Sequence, residues 1–426
     1  MATAQVLRRG VPASAVALLT LAVAAVLAAA GAPAYAQPGC LPPGQVIAAT
    51  PWAQKTLAPE RVWPLATGVG VVVAVLDSGV DAAHPQLQSH VQPGADFLTD
   101  RRRPGTSDCV GHGTAVASLI AAQPADGTGF RGIAPDATIL PVTVSEKEGL
   151  REDEQGRALS PADFAEALRW AVSQGATVVN LSVTFFADYP EVRDAVRFAL
   201  DSNVVVVAAV GNLGRDANPT PYPAAYDGVI GVGAIDVTGQ VLPESGHGPF
   251  VGLVAPGDQI VAATPGHGHA TWRGTSFATP FVAGVAALVR QYWPTLTARQ
   301  VAERLYATAS PAPGGPGSPY YGHGIIDPYR AVTERLAAGP PRAAPSPVAP
   351  GVDPFAVADR AQSQQRWRTA LIASGAGGVI AVAVVTMLAV RRSGRRQHWR
   401  PTRAQPLRPQ PEDMDDGPAE LFDVLR

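Results

Sequence analysis

From Gly70 onward the chain alternates short apolar runs with longer stretches whose apolar residues recur at helical spacing, and this alternation restricts the fold more than any other feature. Candidate strands occupy 70–76, 137–143, 176–182, 204–210 and 229–234; candidate helices occupy 112–122, 161–173, 190–201, 276–290 and 297–308. A run such as Val71-Val72-Val73-Ala74-Val75-Leu76 has no polar face, so both sides of that strand must be covered. Strands of this kind separated by helices predict an α/β fold: a doubly wound, mostly parallel sheet with helices on both faces. The chain has 426 residues, 46% of them hydrophobic, enough to bury such a core and still carry appendages. A formal net charge of −2 gives no basis for a nucleic-acid partner.

Ligands of open α/β sheets bind beyond the carboxyl ends of the strands, and Asp77, Ser182 and Asn212 fall at or just past three such ends. A fourth candidate is Ser276, in Gly274-Thr275-Ser276-Phe277-Ala278-Thr279-Pro280 at the start of a buried helix. Backbone N–H groups in a first helical turn have no intrahelical partner, so a serine there can attack while its own N–H holds developing negative charge. Pro280, about one turn further, is a local rule broken, as happens at working sites. A serine nucleophile needs a base, and the base needs a group that fixes its tautomer. Gly111-His112-Gly113-Thr114 opens another apolar helix and offers His112; Asp77 ends the first strand. Singly, each is a common turn or cap feature, but together they stand in the order Asp, His, Ser.

At these residues the chain resembles the subtilisin-like serine proteases, in Val75-Leu76-Asp77-Ser78-Gly79-Val80, Gly111-His112-Gly113-Thr114-Ala115-Val116-Ala117 and the Ser276 block. Val178-Val179-Asn180-Leu181-Ser182, Val207-Ala208-Ala209-Val210-Gly211-Asn212 and Val254-Ala255-Pro256-Gly257 extend the likeness. Within that family the chain is similar to the mycosins, membrane-anchored subtilases associated with type VII secretion, by Val62-Trp63-Pro64-Leu65, Asp108-Cys109, a proline-rich stalk and an apolar segment near the end. The resemblance implies a serine endopeptidase acting on protein or peptide substrates. It implies Asp77, His112 and Ser276 as catalytic residues, and Asn212 with the Ser276 N–H as the oxyanion hole. Ser182 and Gly211 would line the substrate backbone. Val183-Thr184 departs from the Leu-Gly common in secreted subtilisins, which leaves the depth of the specificity pocket open. No EF-hand loop or clustered Cys/His spacing suggests a metal, and no cofactor is expected; structural calcium, frequent among subtilases, stays an open alternative.

The segments outside the core predict an exported, tethered protein. Residues 1–36 carry Arg8, Arg9, an apolar run and Ala34-Tyr35-Ala36, the pattern of a cleavable signal peptide. Residues 37–66 form an N-terminal extension, too short for a conventional folding-assisting pro-domain, followed by the catalytic domain over 67–336. Cys40 and Cys109 are the only cysteines; export places them in an oxidising setting, and an even pair there is expected to be bonded. Residues 337–368 read as a Pro-rich linker and 369–390 as a transmembrane helix: 22 residues without a charge, long enough for ~33 Å of helix against a ~30 Å hydrocarbon core. Arg391, Arg392, Arg395 and Arg396 then predict a cytoplasmic tail over 391–426, with the catalytic domain outside the cell membrane. The charged stretch 145–160 reads as a solvated loop, and His84, His247 and His323 as structural. Two functions are carried forward: an active, membrane-tethered protease, or mainly a structural subunit stabilising the secretion membrane complex.

Overall fold

The structure is a computed structural model, and it describes residues 40–146 and 156–336 together with Met387. The elements begin with α1 (Trp52–Leu57), β1 (Val72–Asp77), β2 (Ala95–Asp96), α2 (His112–Ala121), β3 (Thr138–Thr143) and α3 (Pro161–Ser173). They continue with β4 (Val178–Leu181), α4 (Pro190–Asp201), β5 (Val205–Ala209), β6 (Ile230–Ile235) and β7 (Leu253–Pro256). The hairpin β8 (Ile260–Ala263) and β9 (His269–Trp272) precedes α5 (Thr275–Tyr292), α6 (Ala298–Ala307) and α7 (Pro328–Thr333). Seven strands form one sheet in the order β2-β3-β1-β4-β5-β6-β7. Every pairing in it is parallel, including Asp77 opposite Thr143 and Val75 opposite Asn180.

The two-residue period of a strand explains how one apolar run serves two cores. Val73 and Val75 pack with residues of α2, α5 and α6, whereas Ala74 and Leu76 pack with residues of α3 and α4 on the opposite face. All four are fully buried, and full burial of a Val or Leu contributes roughly 1.5–3 kcal/mol. The helices start where their caps dictate. Ser160 accepts the Asp163 N–H ahead of Pro161 in α3, and Thr297 with Gln300 forms a capping box on α6.

The residues of the extension join this core. Ala53, Leu57, Val62 and Ala66 are buried in the cluster that contains α2 and α5. Further upstream, Gln45 bridges His269 in antiparallel sense, so the extension runs along the β8–β9 hairpin. Cys40 and Cys109 form a disulfide with their Cα atoms 4.5 Å apart, and the Leu41 N–H donates to the Cys109 carbonyl.

Observed bounds coincide with those read in the sequence for α3 and α4 and elsewhere differ by at most two residues; α5, for example, spans Thr275–Tyr292 and includes Thr275 in its first turn. Elements not anticipated are α1, β2, β7, β8, β9 and α7. Each has two to six residues, too few to establish a period. The expected signal peptide, linker and tail lie outside the described residues, as does the expected span over 369–390 apart from Met387. The chain divides into compact units over residues 1–338 and 339–426, and of the second only Met387, helical and exposed, is described. Among the described residues no helix is long and apolar enough to cross a membrane.

Candidate active site

β1 ends at Asp77, whose carboxyl group is buried at 4% exposure. Its Oδ1 accepts the Ser78 N–H at 2.8 Å and lies 2.7 Å from His112 Nδ1. A carboxylate can only accept, so this contact assigns the proton to Nδ1 and leaves Nε2 as the acceptor of the neutral ring. His112 is the first residue of α2, and a close approach of backbones delivers it. A Cβ built on Gly113 would lie 2.0 Å from the Gly79 carbonyl oxygen and 3.1 Å from the Asp77 Cβ, so only glycine lets α2 start this near β1. On its other side the imidazole meets Phe277, with ring centroids 5.0 Å apart. Phe277 follows Ser276, and the carboxyl end of β1, α2 and α5 thereby converge.

Ser276 is half-buried in the first turn of α5. Its Oγ lies 3.5 Å from the Ser182 carbonyl oxygen, and the Ser182 hydroxyl in turn donates to the Ser276 carbonyl at 3.3 Å. Pro280 accounts for the second bond. In an unbroken helix residue 280 would donate its N–H to the carbonyl of residue 276, and a proline has none to give. The freed carbonyl is taken by Ser182, which recovers part of the ~3 kcal/mol an interior proline costs.

Asn212 lies just past β5, half-buried, with Oδ1 accepting the Thr275 N–H at 2.9 Å and the Thr275 hydroxyl at 3.1 Å. With the oxygen held there, the two protons on Nδ2 are directed the other way. Gly274 leaves them room: a Cβ at that position, with φ 130°, would sit 3.1 Å from Nδ2. Gly211, in the left-handed region at φ 78°, turns the chain from β5 toward Asn212, and its carbonyl accepts the Gly246 N–H at 2.9 Å.

Of the residues singled out in the sequence, Asp77 and His112 are in direct contact, as are Ser182 and Ser276; Asn212 reaches the same helix start through Thr275. Thr275 was not foreseen, although it stands inside the Gly-Thr-Ser motif. Asn180, fully buried and donating to Ser182 Oγ at 3.1 Å, was legible only as part of a strand. Asp108 was read as a family marker and proves to be a hydrogen-bonding centre. His247 stacks on Tyr320 and His323 on Tyr306, while buried His84 packs edge-on to His269. Among the described residues no three His, Cys, Asp or Glu side chains converge as a metal site would require.

A parallel sheet wound on both faces, with its candidate catalytic groups gathered beyond the strands' carboxyl ends, is the subtilisin-like arrangement, and the molecule is a serine endopeptidase of that class. The profile of the Subtilase family matches residues 68–325, and the chain belongs to this family. Mycosin-1 of Mycolicibacterium smegmatis is 36% identical over 348 residues, which cover 71% of this chain and 76% of that protein. Thermophilic serine proteinase of Bacillus sp. (strain AK1) is 37% identical over 276 residues, covering 64% and 65%. The solved structure of MycP1, a serine protease described as an essential component of the type VII (ESX-1) secretion system, aligns with a TM-score of 0.59 at 34% identity. That alignment covers 69% of this chain and 92% of MycP1.

Proposed function

We propose that the protein hydrolyses peptide bonds through an acyl-enzyme formed on Ser276. The reading rests on the 2.7 Å contact of His112 Nδ1 with Asp77, which orients an imidazole packed beside the first turn of α5. Ser276 Oγ attacks the scissile carbonyl carbon while His112 Nε2 takes its proton, and Asp77 stabilises the imidazolium that forms. The carbonyl oxygen becomes an oxyanion between the Asn212 Nδ2–H and the Ser276 N–H. Collapse breaks the C–N bond, and His112 returns the proton to the departing amine. Water then repeats the sequence, with His112 as base, and frees the carboxylic acid and Ser276. The segments around Ser182 and Gly211, beside the first turn of α5, are where an extended substrate would pair.

The protein works outside the cytoplasmic membrane, held there by the 369–390 segment with residues 391–426 inside the cell. Its likeness to MycP1 supports association with a type VII secretion membrane complex, in which a scaffolding role and proteolysis are compatible. Asp77, His112, Ser276 and Asn212 together favour activity, because scaffolding alone requires none of them. The test is digestion of a peptide library by the purified protein beside its Ser276→Ala variant. Loss of the serine nucleophile typically lowers kcat by about a million-fold, equivalent to ~8 kcal/mol of transition-state stabilisation. Equal turnover by the two proteins would exclude the mechanism.

A further inference from the structure

We propose that Asp108 is a positioning residue for the Asp77–His112 pair: its carboxylate ties the first turn of α2 to the end of β1 and so sets where the imidazole sits. The inference rests on His112 acting as the base.

The start of α2 has no cap of the ordinary kind. Its N-cap is Gly111, with φ 87° and no side chain to accept the N–H groups of the first turn. Two outside residues take over. The Gly113 N–H donates to Ser78 Oγ at 2.9 Å, and the Thr114 N–H donates to Asp108 Oδ2 at 2.8 Å. The Thr114 hydroxyl adds a second bond to Oδ2 at 2.7 Å. Oδ1 accepts the Gly111 N–H at 2.8 Å and the Ser78 hydroxyl at 2.9 Å. Four donors thus converge on one buried carboxylate, two on each oxygen. That is the arrangement a carboxylate satisfies, since it can only accept.

Ser78 makes this more than a cap. Its hydroxyl accepts from α2 and donates to Asp108, while its N–H holds Asp77 Oδ1, the atom that His112 reaches. His112 therefore lies between residues, Gly111 and Thr114, that both hang from Asp108, and its partner Asp77 is fixed by the serine bound to the same carboxylate. The remainder of α2 is buried and held by packing. Only the first turn depends on this network, and that turn carries the imidazole. The loop from which Asp108 reaches in is secured by the Cys40–Cys109 disulfide and the Leu41 N–H to Cys109 carbonyl bond. Burial raises the Asp108 pKa, and the four donors oppose that rise. At 6% exposure, water cannot replace a lost oxygen.

Asp108→Asn keeps the shape but places an NH2 group opposite the Thr114 N–H, and Ser78→Ala removes the hydroxyl shared by the two elements. A misplacement near 1 Å typically lowers rate about 100-fold. Each variant is expected to reduce kcat about 10- to 100-fold with KM nearly unchanged, and to shift the His112 Nδ1 proton resonance in NMR spectra. The double variant is expected to lose no more than the worse single one, because both break one network. Unchanged kcat and resonance in either folded variant, whatever happens to its urea midpoint, would overturn the inference and leave Asp108 a stability residue. Ser78→Ala, the smaller change, carries the test if Asp108→Asn does not fold. His112→Ala separates the two levels. Its full activity would sink the catalytic reading itself, whereas its inactivity beside a fully active Asp108→Asn would sink only the positioning role.

Discussion

Mild acid will loosen this fold through His269, a residue outside the candidate site. The ring is 4% exposed, and both nitrogens are committed to the neutral form. Nδ1 accepts the Ile47 N–H at 3.2 Å, and Nε2 donates to Gln86 Oε1 at 2.8 Å. The Gln86 amide is itself oriented by donating Nε2–H to the Gln123 and Phe130 carbonyls, so its oxygen must face the histidine. Burial first, then neighbouring His84, lowers the pKa of His269 from 6.5 to about 4. Between those values the unfolded imidazole binds a proton that the folded one refuses. The unfolded state therefore holds more protons, and stability falls as pH drops through that window. A shift of this size is worth ~2 kcal/mol at about pH 5, or ~1 kcal/mol once solvent screening is allowed for. Protonation would also turn Nδ1 from acceptor to donor against the Ile47 N–H and weaken the grip of the extension on the hairpin. Urea unfolding at about pH 7 and pH 5, in a Ser276→Ala background to prevent self-digestion, will show the midpoint falling by on the order of 0.5 M. The same measurement on His269→Gln will show a smaller fall. Parallel pH dependence with and without His269 would refute the assignment, because the other titrating groups are common to both proteins.

Asn212→Ala is expected to lower kcat by ~100- to 1,000-fold with little change in KM, the signature of a donor used only in the transition state; kcat equal to the parent's in steady-state kinetics would remove Asn212 from the oxyanion hole. Protease added to intact spheroplasts is expected to digest the catalytic domain and spare the tail at 391–426, and the reverse pattern would invert the proposed topology.

The residues proposed as catalytic stand out in the sequence because each is announced by its neighbours. Asp77 ends an apolar strand, His112 stands between two glycines of which Gly113 lets α2 approach β1, and Ser276 opens a helix that contains Pro280. The sheet was legible for a related reason. A run such as Val71 to Leu76 can be satisfied only by cover on both faces, and that requirement is local to the run. Strand order, the partner of the Ser276 carbonyl that Pro280 leaves orphaned and the four-donor shell of Asp108 were not legible in this way. Ser182 reaches Ser276 across 94 residues of chain, Ser78 reaches Asp108 across 30, and Ile47 reaches His269 across 222. Nothing in the spacing of such residues encodes the meeting. Periodicity and capping act over one or two turns, so they state which side chains must be buried or exposed. Which buried donor finds which acceptor is decided only when two cores close on the sheet and each polar group must take the nearest partner.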